Sequence, residues 1–488
     1  MEYLQIVFSY PVLISIFLGT IAGIVIGGMP GLTATMAVAL LIPITFNFEP
    51  LIGLALMGGV YCGAMYGGSI AAILLSTPGT PAAAATAIEG YPLTQQGHGG
   101  LALTVSVVAS FIGGMFSIMI LLLVSPLLAK VALKFGPPEQ FLLAIMGLAG
   151  IISLTAGNLV KGFISGIIGL MIAVIGEDPI TASIRYTGGI LDLYEGVAFM
   201  PALIGMFSIT SMLELTGKDK IAAEDIDIST IKREKFPKGL FPFISIGSLT
   251  GTVVGILPGE GATVAAFISY NFAKQKSKLK HLFGKGSVEG IAAAESGNNA
   301  CVGGSLVPLL TLGIPGNTVA AALMGGLMIH GLIPGPELFT THADVTYPFI
   351  ISLFVSNASF LLVGLFFAPY FARISHIPAQ ILIPAICMFS IIGAYAMNNS
   401  VFDVWLMLGF AFFGFILSKT GFSLSAIILG MILGPIAENG FSQALAMSGG
   451  NYGIFVHSPV SWILWVIIFA LILPPLLTKQ KSMDHSAS

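Results

Sequence analysis

Apolar residues run along this chain in long blocks that stop at Gly, Pro or a charge cluster. The blocks show neither the alternation of half-buried strands nor the polar face of soluble helices. Runs of this length and purity read as membrane-crossing helices. In the first part of the chain they cover 11–46, 51–93, 101–124, 138–156, 162–176 and 197–215. After a polar interval at 216–238 they resume at 239–273, 288–330 and 345–478. Some blocks are broken from within. "GIVIGGMPGLTATMAVALL" (23–41) carries Pro30 and Gly31 at its centre, and the same dipeptide returns at Pro78-Gly79, Pro258-Gly259 and Pro315-Gly316. Pro removes a backbone donor and clashes with the preceding turn, so these helices must stop and restart. Non-helical backbone at membrane depth survives only when buried in protein or beside a water-filled cavity.

The breaks repeat in order. "GIVIGGMPGLTAT" pairs with "GTVVGILPGEGAT" at an offset of 228, matching Gly23, Gly27, Pro30, Gly31 and Thr35 to Gly251, Gly255, Pro258, Gly259 and Thr263. "YGGSIAAILLSTPGTPAAAA" (66–85) then pairs with "VGGSLVPLLTLGIPGNTVAAA" (302–322) at 236–237, and "PPEQFLLAIMGL" pairs more weakly with "IPAQILIPAICM" at 240. Ordered matches of this kind mark an internal repeat. The expected organisation is a first repeat over 1–215 (hairpin 11–46, broken helix 51–93, spans 101–215). A loop at 216–238 joins it to a second repeat over 239–485 (hairpin 239–273, broken helix 288–330, spans 345–478).

Charge sets the orientation. Eleven of the nineteen Lys and Arg lie between Lys218 and Lys285, flanking the stretch 239–273. The positive-inside rule places both flanks in the cytoplasm. The stretch between them must therefore enter and return, and its second arm, 260–273, rises only about 21 Å against about 30 Å of hydrocarbon. A re-entrant hairpin is expected. Five crossings separate the two hairpins, so the second opens opposite to the first, with an extracytoplasmic N-terminus and a cytoplasmic C-terminus. That path puts sixteen Lys and Arg inside and three outside, Lys130, Lys134 and Arg185. Inverted repeats with broken helices are the architecture of secondary transporters.

Composition agrees: 56% of residues are hydrophobic and 8% charged, and mean hydropathy is +0.97. The fold class is an all-α polytopic membrane protein. Cys62, Cys301 and Cys387 show no metal-ligand spacing. There is no phosphate-binding loop, dinucleotide fingerprint, zinc motif or nucleophile elbow. The basic stretch 274–285 reads as a topology determinant rather than a nucleic-acid site. Candidate chemistry sits at the breaks, where half-helix N-termini favour anions and opposing carbonyl ends suit Na⁺. The expected substrate- and ion-binding residues are Gly31, Thr33, Thr35, Ser76, Thr77, Gly79, Thr80, Gly259, Glu260, Thr263, Gly316, Asn317 and Thr318. Glu295, Asn298 and Asn299 join them, because an intramembrane carboxylate is a functional candidate by default. Na⁺ is expected at the paired breaks Pro30-Gly31/Pro78-Gly79 and Pro258-Gly259/Pro315-Gly316. An anion channel or a membrane-embedded enzyme are the rival classes; the first lacks a ring of repeated charge, the second an acid/base constellation at depth.

"GGMPGLTAT", "STPGTPAAAA", "LPGEGAT", "ESGNNACVGGSLVPLLTLGIPGNT" and "GLIPGPELF", in this order, resemble the large membrane subunit of the tripartite tricarboxylate transporters, the TctA-like family. "GEDPITASIRYTGG" followed by "LIGMF" (203–207) resembles its pattern between the halves. Glu260 departs from that pattern, which has a small residue there. The resemblance implies a bacterial inner-membrane carrier for citrate-like tricarboxylates or related carboxylates, driven by an ion gradient and moving by alternating access. Its implied partners are a small four-helix TctB-like membrane subunit and a periplasmic TctC-like solute-binding protein. No cofactor is expected beyond a coupling ion, Na⁺ favoured over H⁺.

Overall fold

The computed structural model describes residues 2–29, 32–154, 159–178, 180–215, 231, 234–259, 261–371 and 379–486. The fold is all-α. α1 (Glu2–Val7), α2 (Tyr10–Gly27) and α3 (Ala34–Thr45) are followed by α4 (Pro50–Leu75), α5 (Ala84–Gln95) and α6 (Gly99–Ala132). Next come α7 (Pro137–Leu154), α8 (Leu159–Ala173), α9 (Phe199–Leu203) and α10 (Thr210–Leu215), the last two joined by a π-helical turn, Ile204–Ile209. The second part holds α11 (Phe241–Ile256), α12 (Gly261–Lys276), α13 (Val288–Leu312), α14 (Thr318–Ile329) and α15 (Ala343–Phe371). It closes with α16 (Ala379–Asn398), α17 (Val401–Lys419), α18 (Leu424–Met447) and α19 (Pro459–Ser486). Two-residue strands β1 (Gly176–Glu177) and β2 (Ile184–Arg185) form a small antiparallel hairpin between α8 and α9.

Among the described residues, six helices are long and apolar enough to cross a membrane: α2, α4, α6, α15, α17 and α18. α4 is buried along almost its whole length, and α13 is likewise buried from Gly290 to Thr311. These two helices form the centre, and both end at a Pro-Gly break. α4 stops at Ser76, in the left-handed conformation with φ 54°, and helix resumes at Pro81. α13 runs through its internal Pro308 and stops at the left-handed Gly313, φ 70°; α14 starts after Asn317.

The two halves use the same contacts at the same spacing. A Cβ added at Gly23 of α2 would lie 2.4 Å from the Val60 carbonyl oxygen of α4. One added at Gly251 of α11 would lie 2.1 Å from the Gly297 carbonyl oxygen of α13. Gly19 and Gly27 extend the first contact by one turn each way, as Gly247 and Gly255 extend the second. Small residues every fourth position let two helix backbones approach where side chains would hold them apart. The break loops also correspond: the Gly79 N–H donates to the Gly68 carbonyl at 3.1 Å, and the Gly316 N–H to the Ser305 carbonyl at 3.3 Å. The register between α4 and α13 is thus 237 residues throughout. The sequence pairing of Gly67-Gly68-Ser69 with Gly303-Gly304-Ser305, at 236, is one residue out, because adjacent glycines left that alignment free to slide.

Contacts between connecting segments tie the helices together. Gln96 donates to the Lys285 carbonyl at 2.8 Å and Lys161 to that of Thr420 at 2.6 Å. Buried Glu89 accepts from Tyr270 and from the amides of Gly284, Gly286 and Ser287. Arg185 pairs with Glu438, Ser458 donates to Glu139 at 2.6 Å, and the His330 ring lies 3.4 Å from the Thr45 hydroxyl.

Gly251→Val is expected to destabilise the bundle by about 1–3 kcal/mol, because overpacking against a backbone carbonyl has no side chain to yield. Gly409→Ala, inside α17 and with an added Cβ that meets nothing within 4 Å, is expected to raise stability by up to about 1 kcal/mol. Melting temperatures in detergent check the pair.

Candidate functional site

Four helix beginnings meet at one cavity of about 230 Å³. α3 contributes Thr33, Ala34 and Thr35, and the start that leads into α5 contributes Thr80, Pro81 and Ala82. α12 contributes Ala262 and Thr263, and α14 contributes Asn317, Thr318 and Val319. Met65, Phe207 and Ser425 complete the wall. Each beginning lies just after a break, and three restart on Pro or a capping side chain: Thr33 at α3, Pro81 ahead of α5 and Asn317 at α14. Thr33 accepts from the Met36 amide at 3.2 Å, and Asn317 Oδ1 from the Ala320 amide at 2.8 Å. Thr80 occupies the cap position before Pro81 without using its side chain as a cap. Its hydroxyl is buried without a partner.

The two halves meet across this cavity. Thr35 Oγ1 and Thr318 Oγ1 lie 2.9 Å apart. Asn317 Nδ2 donates to the Tyr61 hydroxyl at 2.8 Å, and that hydroxyl lies 2.9 Å from Ser305 Oγ. The Gly259 N–H donates to the Gly316 carbonyl at 2.9 Å, tying the α11–α12 turn to the α13–α14 break. No Lys, Arg, His, Asp or Glu lines the cavity among the described residues. The positive charge that the described wall offers is that of backbone N–H groups. A helix N-terminus carries roughly half an elementary charge, so four of them supply on the order of two before screening. A volume of 230 Å³ is below the range of about 300–1,000 Å³ for drug-sized ligands, and it suits a small anion.

Six of the sequence-derived candidates line the cavity: Thr33, Thr35, Thr80, Thr263, Asn317 and Thr318. Gly79, Gly259 and Gly316 hold the adjoining turns. Ser76 is exposed and ends α4, while the Thr77 hydroxyl is buried without a partner. Pro30, Gly31 and Glu260 lie outside the described residues. Glu295 sits apart from the cavity wall. It is fully buried, accepting from Ser69 Oγ at 2.6 Å, from Ser110 Oγ at 2.8 Å and from the Thr86 hydroxyl. Asn298 donates to the Met65 carbonyl at 3.3 Å and Asn299 to that of Glu295 at 3.2 Å; neither side-chain carbonyl has a partner. Sequence reasoning missed Tyr61, Met65, Phe207 and Ser425. Phe207 lies in the π-helical turn, a local irregularity that often marks function, yet apolar "LIGMF" gives no sign of it.

Comparison with known proteins identifies the family. Residues 13–429 match the model of the tripartite tricarboxylate transporter TctA family. The chain belongs to the TctA family. It is therefore the large membrane subunit of a tripartite tricarboxylate transporter. This TctA-family chain is 34% identical over 469 residues to an uncharacterized 52.8 kDa protein in the TAR-I ttuC' 3' region of Agrobacterium vitis. That alignment covers 96% of this chain and 93% of the relative. A second relative, an uncharacterized protein in the TAR-II ttuC' 3' region of the same organism, is 34% identical over 234 residues, 47% of this chain and 97% of its own length.

Asn317 is the most exacting position in this TctA-family cavity. Asn317→Ala is expected to lower stability by about 1 kcal/mol through the lost cap. Asn317→Asp keeps an acceptor for Ala320 but places negative charge in the cavity. It is expected to show no rise in melting temperature with added carboxylate anions, where the wild type is expected to show one.

Proposed function

We propose that this subunit imports small polycarboxylates of the citrate class by alternating access, binding the anion in the cavity where four half-helix N-termini meet. The observation that carries the reading is that convergence, from both halves of the chain, around hydroxyl and amide side chains without a cationic residue in the described wall. Such a cavity selects for negative charge yet holds no fixed counter-ion that would trap the cargo. A polyanion held by dipoles and hydroxyls alone is further stabilised by co-bound cations, which favours Na⁺ over H⁺ as the coupling ion. The carbonyl ends at Pro78-Gly79 and Pro315-Gly316 are the proposed places for it. Glu295, caged by three hydroxyls, is the proposed carboxylate that responds to the ion.

The architecture we propose is an inverted repeat with two re-entrant Pro-Gly hairpins, α2–α3 and α11–α12, and two broken helices, α4–α5 and α13–α14. The matched glycine contacts support the repeat. Its inversion is supported by the connecting-segment contacts. Gln96–Lys285 and Lys161–Thr420 join segments that the crossing count assigns to the cytoplasm. Arg185–Glu438, Glu139–Ser458 and Thr45–His330 join segments that it assigns to the outside. Hairpins and broken helices move together as an elevator, with the remaining spans as scaffold and as contact for a small TctB-like subunit in a bacterial inner membrane. A soluble TctC-like protein delivers the carboxylate from outside.

The test uses proteoliposomes holding this chain with its small subunit. Radiolabelled citrate is expected to enter only with binding protein outside and an inward Na⁺ gradient. Uptake driven by a pH gradient without Na⁺ would overturn Na⁺ coupling, and uptake independent of any gradient would indicate a channel. Glu295→Gln, which keeps an acceptor for the three hydroxyls, is expected to remain in the membrane and lose uptake by about tenfold or more. Wild-type uptake by this variant would remove Glu295 from the mechanism.

A further inference from the structure

We propose that the hairpin loop between α8 and α9 is the docking surface for the soluble solute-binding protein, which meets it with a basic rim around an apolar centre. This rests on the reading of the chain as a binding-protein-dependent importer and adds where the partner sits.

The loop is held firmly. Its strands pair Gly176 with Arg185 and Glu177 with Ile184. Asp178 accepts from the Ile180 and Thr181 amides at 2.9 and 2.8 Å, and the Glu177 N–H donates to the Tyr194 carbonyl at 2.9 Å. Arg185 then clamps the hairpin to the helical bundle. It donates to both carboxylate oxygens of Glu438 on α18, at 2.7 and 3.2 Å, and lies 2.9 Å from Asp178 Oδ2. Bidentate pairing of this kind fixes orientation as well as distance. The Thr181 amide, then that of Ile180, holds the Asp178 carboxyl below its ordinary range. The link to Arg185 therefore persists as pH falls, until it passes that lowered value.

On this fixed frame the apolar residues face outward. Tyr186 is 77% exposed, Leu191 74%, and Ile180, Ile184 and Ile190 between 43% and 50%. Tyr186 is also held in the left-handed region at φ 58°, which is uncommon for a bulky residue. The segment from 174 to 198 contains one cation, Arg185, and it is engaged. Its exposed charges are Glu177, Asp192 and Glu195. The acidic charge is complementary to a soluble protein bearing Lys or Arg. An apolar centre with a charged rim is the usual anatomy of a protein interface. The crossing count assigns this loop to the extracytoplasmic side, where the binding protein arrives.

The experiment measures affinity between the complete membrane complex in nanodiscs and the binding protein that supports its uptake. Tyr186→Ala with Leu191→Ala is expected to weaken binding by about tenfold or more, as loss of exposed aromatic and apolar anchors does. Asp192→Lys with Glu195→Lys is expected to weaken it too and to flatten its salt dependence, with an unchanged melting temperature. Equal affinity for the wild type and both variants would overturn the proposal while leaving the importer reading intact. Loss of the small subunit from the complex, with affinity for the binding protein retained, would also overturn it. A wild type that binds no such protein would overturn the importer reading and this inference with it.

Discussion

The site depends on close contact between backbones at the helix breaks. A Cβ at Gly79 would lie 1.9 Å from the Gly27 carbonyl oxygen, and one at Gly316 would lie 2.4 Å from that of Gly255. In each half, therefore, the break in the central helix is pressed directly onto the end of the preceding hairpin arm. The glycine stripes of α2 and α11 make this possible, since they seat those arms on α4 and α13 without intervening side chains. Without that contact the freed backbone groups of the breaks would be left in hydrocarbon, where each costs several kcal/mol. With it they find partners within the protein, and the restarting helices α3, α5, α12 and α14 begin beside one another.

The cavity's electrostatics follow from this packing. Side-chain cations are not needed to attract an anion when four aligned peptide dipoles end at its wall. Short hydroxyl and amide side chains complete the surface, and two of their hydrogen bonds fix helix starts. Thr33 and Asn317 are occupied as caps, and Thr35 and Thr318 pair across the two halves. The Thr80 hydroxyl has no such duty, so in a nearly repeated structure the two sides of the cavity are chemically unequal. Tyr61 deepens the inequality. Its hydroxyl braces Asn317, whereas the residue 237 positions later is Asn298, much shorter and bonded to the Met65 carbonyl instead.

Buried carboxylates in this protein serve two different purposes. Glu89 accepts from three backbone amides and a tyrosine, and so ties α5 to the turn before α13. Glu295 accepts from hydroxyls on α4, α5 and α6, which join it to three helices of the other half. Sequence alone singled out Glu295 because it stands in a long apolar stretch. Glu89 went unnoticed, being near a predicted segment end where an acid is unremarkable. Rarity of a charge in its local window thus flagged one buried carboxylate and missed the other, and it says nothing of the partners either charge will meet.

Much of the architecture is nevertheless determined by sequence alone. Apolar block length requires helices in a bilayer, Pro-Gly pairs require breaks, and the clustering of Lys and Arg supports an orientation; all three follow from local chemistry acting on a uniform solvent. Thr33, Thr35, Thr80, Thr263, Asn317 and Thr318 were legible because each lies within a few residues of a break. Only the tertiary structure decided that these six share one cavity, that Glu295 stands apart from it, and that Tyr61, Met65, Phe207 and Ser425 belong beside it. Those facts depend on how far each helix is rotated about its axis and which helix it meets. Rotation and partner are set by the fit of small residues against backbones about forty to sixty residues away in each half, and the cavity closes only where the two halves meet, as at Thr35 and Thr318.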